Sequence, residues 1–168
     1  MAIRKVRQLG DECLTKVCKE VKLISPRTKI LVQDMFDTMY EAGGVGLAAP
    51  QVGVLKRIVV IDVDDNPYVL INPVILETGG EQTGYEGCLS YVGKSGIVTR
   101  PNYVKVKAMN LEGEEYILEG EELLARCISH ECDHLEGIMY VQKVEGDIVN
   151  NEDLYAQEEG EDEAPAQK

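Results

Sequence analysis

Two periods of apolar residues run along the chain, and where one replaces the other marks the boundaries of its elements. From Lys29 to Glu41, Leu31, Met35 and Met39 recur every fourth residue, and Ile30, Val32 and Phe36 widen the stripe, so a helix is predicted near residues 27–42. Ser25-Pro26 supplies its start and Gly43-Gly44 its end. Before it, Val6 to Val21 carries Leu9, Leu14, Val17 and Val21 around a Gly10-Asp11 break, which predicts an extended arm, a turn and a short helix. From Arg57 onward the period becomes two. Arg57 to Val63 is β-branched, Asp64-Asp65-Asn66-Pro67 turns the chain, Tyr68 to Ile71 returns, and Asn72-Pro73 is predicted to interrupt the strand before Val74 to Leu76. Further strands are predicted at Gly84–Ser90 and Gly96–Arg100. Tyr103 to Met109 alternates cleanly and forms a hairpin with Tyr116 to Leu118 across the Gly113 turn. The helical period comes back from about Glu121 to Glu136, closed by Gly137, with Leu123, Cys127, His130 and His134 on one face and Leu124 and Ile128 beside it. A face mixing aliphatic side chains with both histidines is predicted to be buried. The pattern implies an α+β fold: antiparallel or mixed β-sheets wrapped around a C-terminal helix, with a second helix near residues 27–42.

Composition narrows the class. At 168 residues and 44% hydrophobic, the chain has room for one domain with a sizeable core. No apolar run reaches membrane-spanning length and the first residues open no secretory segment, so a cytoplasmic protein is expected. Five irregularly spaced cysteines do not form a disulfide framework, and reduced thiols are expected. The net charge of -13 argues against a DNA-binding surface. That charge is uneven: Glu145 to the end holds nine acidic residues and one basic one, leaving 21 acidic against 16 basic residues in the body. Apolar periodicity fades after Val144. We therefore expect a catalytic domain over residues 1–147 and an acidic tail without fixed structure over residues 148–168.

Candidate chemistry centres on His130-Glu131-Cys132-Asp133-His134, which holds the only two histidines of the chain in an H-E-x-x-H pattern. Four-residue spacing on a helix points both imidazoles at one metal ion, and the intervening glutamate then stands where a general base for water belongs. Such a site needs a third protein donor and an open position. Glu152 or Glu158 satisfies the spacing of a metallopeptidase that cleaves internal peptide bonds, but both lie in the acidic tail. Cys88, between Gly87 and Leu89, is the better candidate, because a divalent ion favours its thiolate. A structural metal site in a binding module is the other alternative, and it leaves Glu131 without a purpose. Upstream, Gly44-Val45-Gly46-Leu47-Ala48-Ala49-Pro50-Gln51 is small, apolar and close to uncharged. Its glycines admit a close backbone or ligand, and the Gln51 amide needs partners.

Three of these segments, in the same order and at similar spacing, resemble the signature motifs of the peptide deformylases: Gly44 to Gln51, Glu86-Gly87-Cys88-Leu89-Ser90, and His130 to Gly137. The resemblance covers roughly residues 1–144, including an N-terminal arm with Leu9-Gly10-Asp11. It implies a metal held by Cys88, His130 and His134, with Fe2+ preferred and Zn2+, Ni2+ or Co2+ able to replace it. It also implies hydrolysis of the N-formyl group from the formylmethionine of nascent proteins, releasing formate. Carried to matching positions, Glu131 becomes the proton shuttle, the Gln51 side-chain amide and the Leu89 backbone N–H the oxyanion donors, and Gly46 part of the catalytic loop. Gly44, Val45, Gly46, Glu86, Gly87, Leu123 and Cys127 become substrate-binding positions, and Glu86 with Arg100 a pair that braces the Cys88 segment. Cys127 and Cys132 are expected to pack rather than ligate.

Two departures accompany the resemblance. Leu89-Ser90 is followed by Tyr91-Val92-Gly93 where an aliphatic-Pro pair is common. The chain also ends acidic where many members end in a basic helix. A C-terminus of that sign is repelled by ribosomal RNA, so ribosome proximity is expected without docking through it.

Overall fold

In the computed structural model, which describes residues 2–162, the sequence resolves into an α+β fold with antiparallel sheets and three helices. One sheet has five strands in the order β1 (Gly46–Ala48), β2 (Ile58–Val63), β3 (Asn66–Gly79), β6 (Tyr103–Met109), β7 (Glu115–Glu121). A second has three, in the order β4 (Gln82–Cys88), β5 (Tyr91–Arg100), β8 (Glu145–Asn150). The helices are α1 (Pro26–Glu41), α2 (Glu122–Leu135) and α3 (Asn151–Asp162).

The run Ile58-Val59-Val60-Ile61 explains the layering. All four are fully buried, because both faces of β2 are covered. Ile58 and Val60 pack with Leu31, Met35 and Met39 of α1, whereas Val59 and Ile61 pack with Ile128 and Leu135 of α2. The methionine stripe of α1 is thus a core face. Its start is a capping box, in which Ser25 Oγ accepts from the Thr28 N–H and Pro26 stands at the first helical position. Tyr103 to Met109 alternates in burial as its sequence does, with Val104, Val106 and Ala108 inward. Asp64 and Asp65 adopt φ of 55° and 59°, the left-handed pair of a tight hairpin between β2 and β3.

Some expectations need correction. Asn72-Pro73 does not end a strand. Asn72 takes φ of 51° inside β3, and the register with β6 slips between Ile71 and Val74, so the break is a bulge in one long strand. The Asn72 side chain caps that bulge by accepting from the Val21 N–H at 2.8 Å and donating to the Val21 carbonyl at 2.8 Å. The short helix expected in the N-terminal arm is one 3-10 turn, Glu12–Thr15. The boundary after residue 147 also differs: β8 pairs with β5, and α3 follows it directly. Backbone pairing to β5 compensates for the weak apolar pattern of the strand that ends at Asn150. Residues 163–168 lie outside the described residues.

Candidate metal centre

Helix α2 begins without a side-chain cap, at Glu121, and ends where Gly137 turns with φ of 73°. A side chain at Gly137 would stand 2.5 Å from the Thr15 carbonyl oxygen, so glycine is needed there for both conformation and space. Along the inward face, Cys127, His130, Glu131 and His134 are buried. Leu123, expected on the same buried face, is 49% exposed, because it lies one turn out at the rim of a cleft.

The second sheet delivers the thiol. Cys88 ends β4, and the register with β5 slips between Glu86 and Cys88 around Gly87. A side chain at Gly87 would meet the Lys94 carbonyl oxygen at 3.2 Å, which explains the glycine at this bulge. The result brings Cys88 Sγ to 3.4 Å from His134 Nε2, and the ligating atoms of Cys88, His130 and His134 all lie within 4.8 Å of one another.

Around these donors the polar groups are oriented. His130 Nδ1 donates to Glu86 Oε2 at 2.7 Å, which leaves Nε2 with its lone pair for a ligand. Both Glu86 oxygens are engaged: Arg100 donates to them at 3.1 and 2.7 Å and Arg126 at 2.9 Å. Arg100 also pairs with Asp133 at 2.6 Å. Burial opposes ionisation of Glu86, but the bonds from His130 and Arg100 outweigh it and hold the carboxyl well below the ordinary range. Glu86 is only 6% exposed; it lines the back of the cleft and orients His130, and its bond to Arg100 is the expected pair beside the Cys88 segment. Arg126 and Asp133 were not anticipated. Their signal is helical, since Arg126 precedes His130 by one turn and Asp133 follows it on the next.

Two further residues face the donors. Gln51 is 1% exposed; its Oε1 accepts from the Ala48 N–H at 2.9 Å, so its amino group points to Ser90 Oγ at 3.1 Å and Cys88 Sγ at 3.5 Å. Glu131 Oε1 lies 3.8 Å from His130 Nε2, while its Oε2 is buried without a hydrogen-bond partner, as is His134 Nδ1. Burial pushes the Glu131 carboxyl up to about 7, within reach of a proton-transfer role near neutrality. Burial works against a charge on His130, yet contacts with Cys88 and Glu86 raise it to about 10, whereas burial holds His134 well below the ordinary value. Metal binding requires His130 to give up that proton, so that Nε2 carries the lone pair that ligates. One thiol, two imidazoles with free ring nitrogens, and an orphaned buried carboxylate oxygen beside them fit a divalent first-row ion. Burial keeps Cys127 and Cys132 as thiols, Cys132 at about 12.

The cleft in front of this cluster, about 730 Å3, has Val45, Gly46, Leu89 and Cys127 in its walls and Glu131 at its floor. Gly44 packs under the Leu89 side chain, where a Cβ would meet Leu89 Cδ1 at 2.7 Å. β1 is the edge of its sheet, so among the described residues the outer side of Gly46–Ala48 has no neighbouring strand. The N-terminal arm braces the loops: the Arg7 N–H donates to the Gln51 carbonyl and the Leu9 N–H to the Ser90 carbonyl, each at 2.7 Å. Glu152 and Glu158 sit on α3 and do not join His130 and His134.

Known proteins agree with this geometry. The sequence model of polypeptide deformylase matches residues 3–148. A peptide deformylase of Agathobacter rectalis is 64% identical over 146 residues, covering 87% of this chain and 92% of that protein. Another, from Lachnoclostridium phytofermentans, is 59% identical over 151 residues, covering 88% and 93%. The crystal structure of peptide deformylase from Thermotoga maritima superposes with a TM-score of 0.85 at 37% identity, covering 87% of this chain and all of that one. By sequence and by fold, the chain belongs to the polypeptide deformylase family of metal-dependent hydrolases.

Proposed function

We propose that this protein hydrolyses the N-formyl group from the formylmethionine of nascent peptides, with Cys88, His130 and His134 holding Fe2+, or Zn2+, Ni2+ or Co2+ in its place. The observation that carries the reading is the convergence of those three donors beside Glu131 and the Gln51 amide. The chemistry supplied by such an ion when bound is Lewis acidity, which makes a water molecule acidic near neutral pH.

The rest belongs to the chain's own residues. Glu131, with one oxygen uncommitted, takes the proton of the attacking water and returns it to the nitrogen of the departing amine. The Gln51 amino group, held by Ala48, and the Leu89 N–H donate to the oxygen that becomes negative as the formyl carbon turns tetrahedral. Each such donor contributes about 3 kcal/mol to the transition state. An extended peptide adds to the free edge at Gly44–Gly46, which recognises backbone in any sequence, while Val45, Leu123 and Cys127 enclose the methionine side chain. Gly87 keeps the β4 backbone close enough to carry Cys88 and Leu89 to their positions.

The metallopeptidase reading needs a downstream glutamate, and neither Glu152 nor Glu158 stands near the histidines. We place the activity in the cytoplasm, where nascent chains emerge; no described helix is long and apolar enough to cross a membrane. The acidic α3 speaks against docking on ribosomal RNA through the C-terminus.

The test is formate release from formyl-Met-Ala-Ser by protein purified anaerobically, with metal measured on the same sample. Glu131→Gln is expected to keep the metal and lose about 10^2- to 10^4-fold in kcat, and Cys88→Ala to lose both. Undiminished turnover by Glu131→Gln, or no formate with any reconstituted ion, would overturn the proposal.

A further inference from the structure

Before β1 is reached, the chain crosses the site as an arm. Residues 2–8 belong to no helix or strand, so their backbone groups find partners in other segments. The Arg7 N–H donates to the Gln51 carbonyl and the Leu9 N–H to the Ser90 carbonyl, each at 2.7 Å. Between them stands Gln8, exposed at the rim of the cleft. Its amide nitrogen donates to the Leu89 carbonyl at 3.1 Å and to the Val6 carbonyl at 3.2 Å, so both of its hydrogens are placed. Three consecutive residues thus hold the two segments that carry Gln51 and Leu89. The arm is also anchored on the Gln51 side. Cys13 Sγ donates to the Pro50 carbonyl at 3.4 Å, and the Arg7 guanidinium lies over Gly53, where a Cβ would stand 3.3 Å from Nε.

The bond to Leu89 falls at a place that is otherwise free to turn. Cys88 pairs with Tyr91, which makes Leu89 and Ser90 the two residues of a tight turn between β4 and β5. The central peptide of such a turn joins the carbonyl of the first residue to the N–H of the second. Rotating that peptide converts one turn type into another while the strands stay in place. Here the Ser90 N–H donates to Cys88 Sγ at 3.4 Å, and the Gln8 amide holds the opposite end of the same peptide. Ser90 Oγ in turn accepts from the Gln51 amino group at 3.1 Å, which ties the two segments together. The Leu89 N–H springs from the Cα that this peptide begins on, so its direction follows from how the peptide is held.

Resting on the deformylase reading, we propose that Gln8 is a positioning residue for the hydrolysis. Through the Leu89 carbonyl it holds the turn whose N–H meets the developing oxyanion, and with the Arg7 and Leu9 backbone it sets the spacing between that donor and the Gln51 amide. Gln8 acts through Leu89 and not on the substrate. An oxyanion donor works on the transition state more than on the bound peptide, so displacing it slows turnover and leaves binding in place. An exposed side-chain bond adds little to global stability, so the role is read in kinetics.

Three holoenzymes are compared on formyl-Met-Ala-Ser, with metal content and Tm measured on each. They are the wild type, Gln8→Met, which keeps the length and loses the donor, and Gln8→Lys, which keeps a donor on a chain of similar reach. Gln8→Met is expected to lower kcat about 10-fold, less than outright loss of an oxyanion donor because the donor is displaced and not removed. Its KM, metal content and Tm are expected to match the wild type. Gln8→Lys is expected to restore kcat to within about threefold of the wild type, since the Leu89 carbonyl is again held. Full kcat in Gln8→Met, a loss confined to KM, a loss accompanied by lower metal content or Tm, or an equal loss in Gln8→Lys would each overturn the positioning role. Absence of formate with the wild type would instead overturn the deformylase reading.

Discussion

Glu86 shows how much one side chain settles in this protein. It ends the reach of two arginines, fixes the tautomer of His130, and is buried. Removing its charge leaves Arg100 and Arg126 buried with too few acceptors, a change that costs about 3 kcal/mol. Glu86→Gln is therefore expected to lower the unfolding free energy from urea titration by that amount at neutral pH and to weaken metal affinity about 10- to 100-fold. The pH dependence has a definite sign. The folded pKa of Glu86 is depressed, so its stabilisation is complete above the unfolded carboxylate value of about 4.3 and is lost as pH falls toward the folded pKa. The gap between wild type and Glu86→Gln should stay constant from pH 6 to 8 and narrow below about 4.3, as measured by urea titration. A gap that widened in acid would contradict the assignment.

At the scale of elements, the site is a contact between β1, the β4–β5 hairpin and α2. Gly46 is where β1 and α2 come closest: a Cβ there would lie 2.6 Å from Cys127 Sγ and 2.9 Å from Glu131 Cγ and Oε1. Gly46→Ala is expected to push Glu131 away from its position while leaving the three donors in place. Overpacking of this kind costs about 1–3 kcal/mol in stability. The functional loss should exceed that, as a fall in kcat of about 100-fold from misplacing one carboxylate, with metal content unchanged. Paired kinetics and metal analysis decide it. Loss of metal together with activity would mean that β1 supports the donors themselves.

For the whole molecule, β2 buried on both faces sets two cores against one sheet, and α2, which carries two of the three metal donors, packs into one of them through Ala125, Ile128 and Leu135. Ion binding and folding are therefore linked. Removing the ion with a chelator is expected to lower stability by about 2.7 kcal/mol if the free ion had stood at 100 times its dissociation constant. For a chain of this size that is a fall in Tm of about 5–11 °C, restored by adding the ion back. Differential scanning calorimetry with and without chelator measures it, and an unchanged Tm would remove the link between the site and the core.

Local physics determined much of this in advance. The four-residue period of Leu31, Met35 and Met39 makes α1, the alternation from Tyr103 to Met109 makes a half-buried strand, and the spacing of His130 and His134 puts two imidazoles on one helix face. Those signals are legible because they depend on neighbours within one turn or one hairpin. Other features depend on segments far apart in the chain. The bonds that His130 and the second arginine, Arg126, give to Glu86 have no local signature, because only the packing of segments far apart in sequence decides which way a carboxylate with two arginine neighbours turns. Leu123 shares a helical face with His130 but sits at the rim, since α2 leaves the core there. Residues 148–162 carry too little apolar pattern to announce a strand and a helix; pairing with β5 holds Val149 and Asn150, and the Ser95 to Asn151 side-chain bond ties the start of α3. The chemistry-bearing residues were thus readable as kinds and spacings. Which of them meet, and at what distance, was decided by tertiary contacts, because a hydrogen bond or a shared ligand constrains atoms and not positions in a sequence.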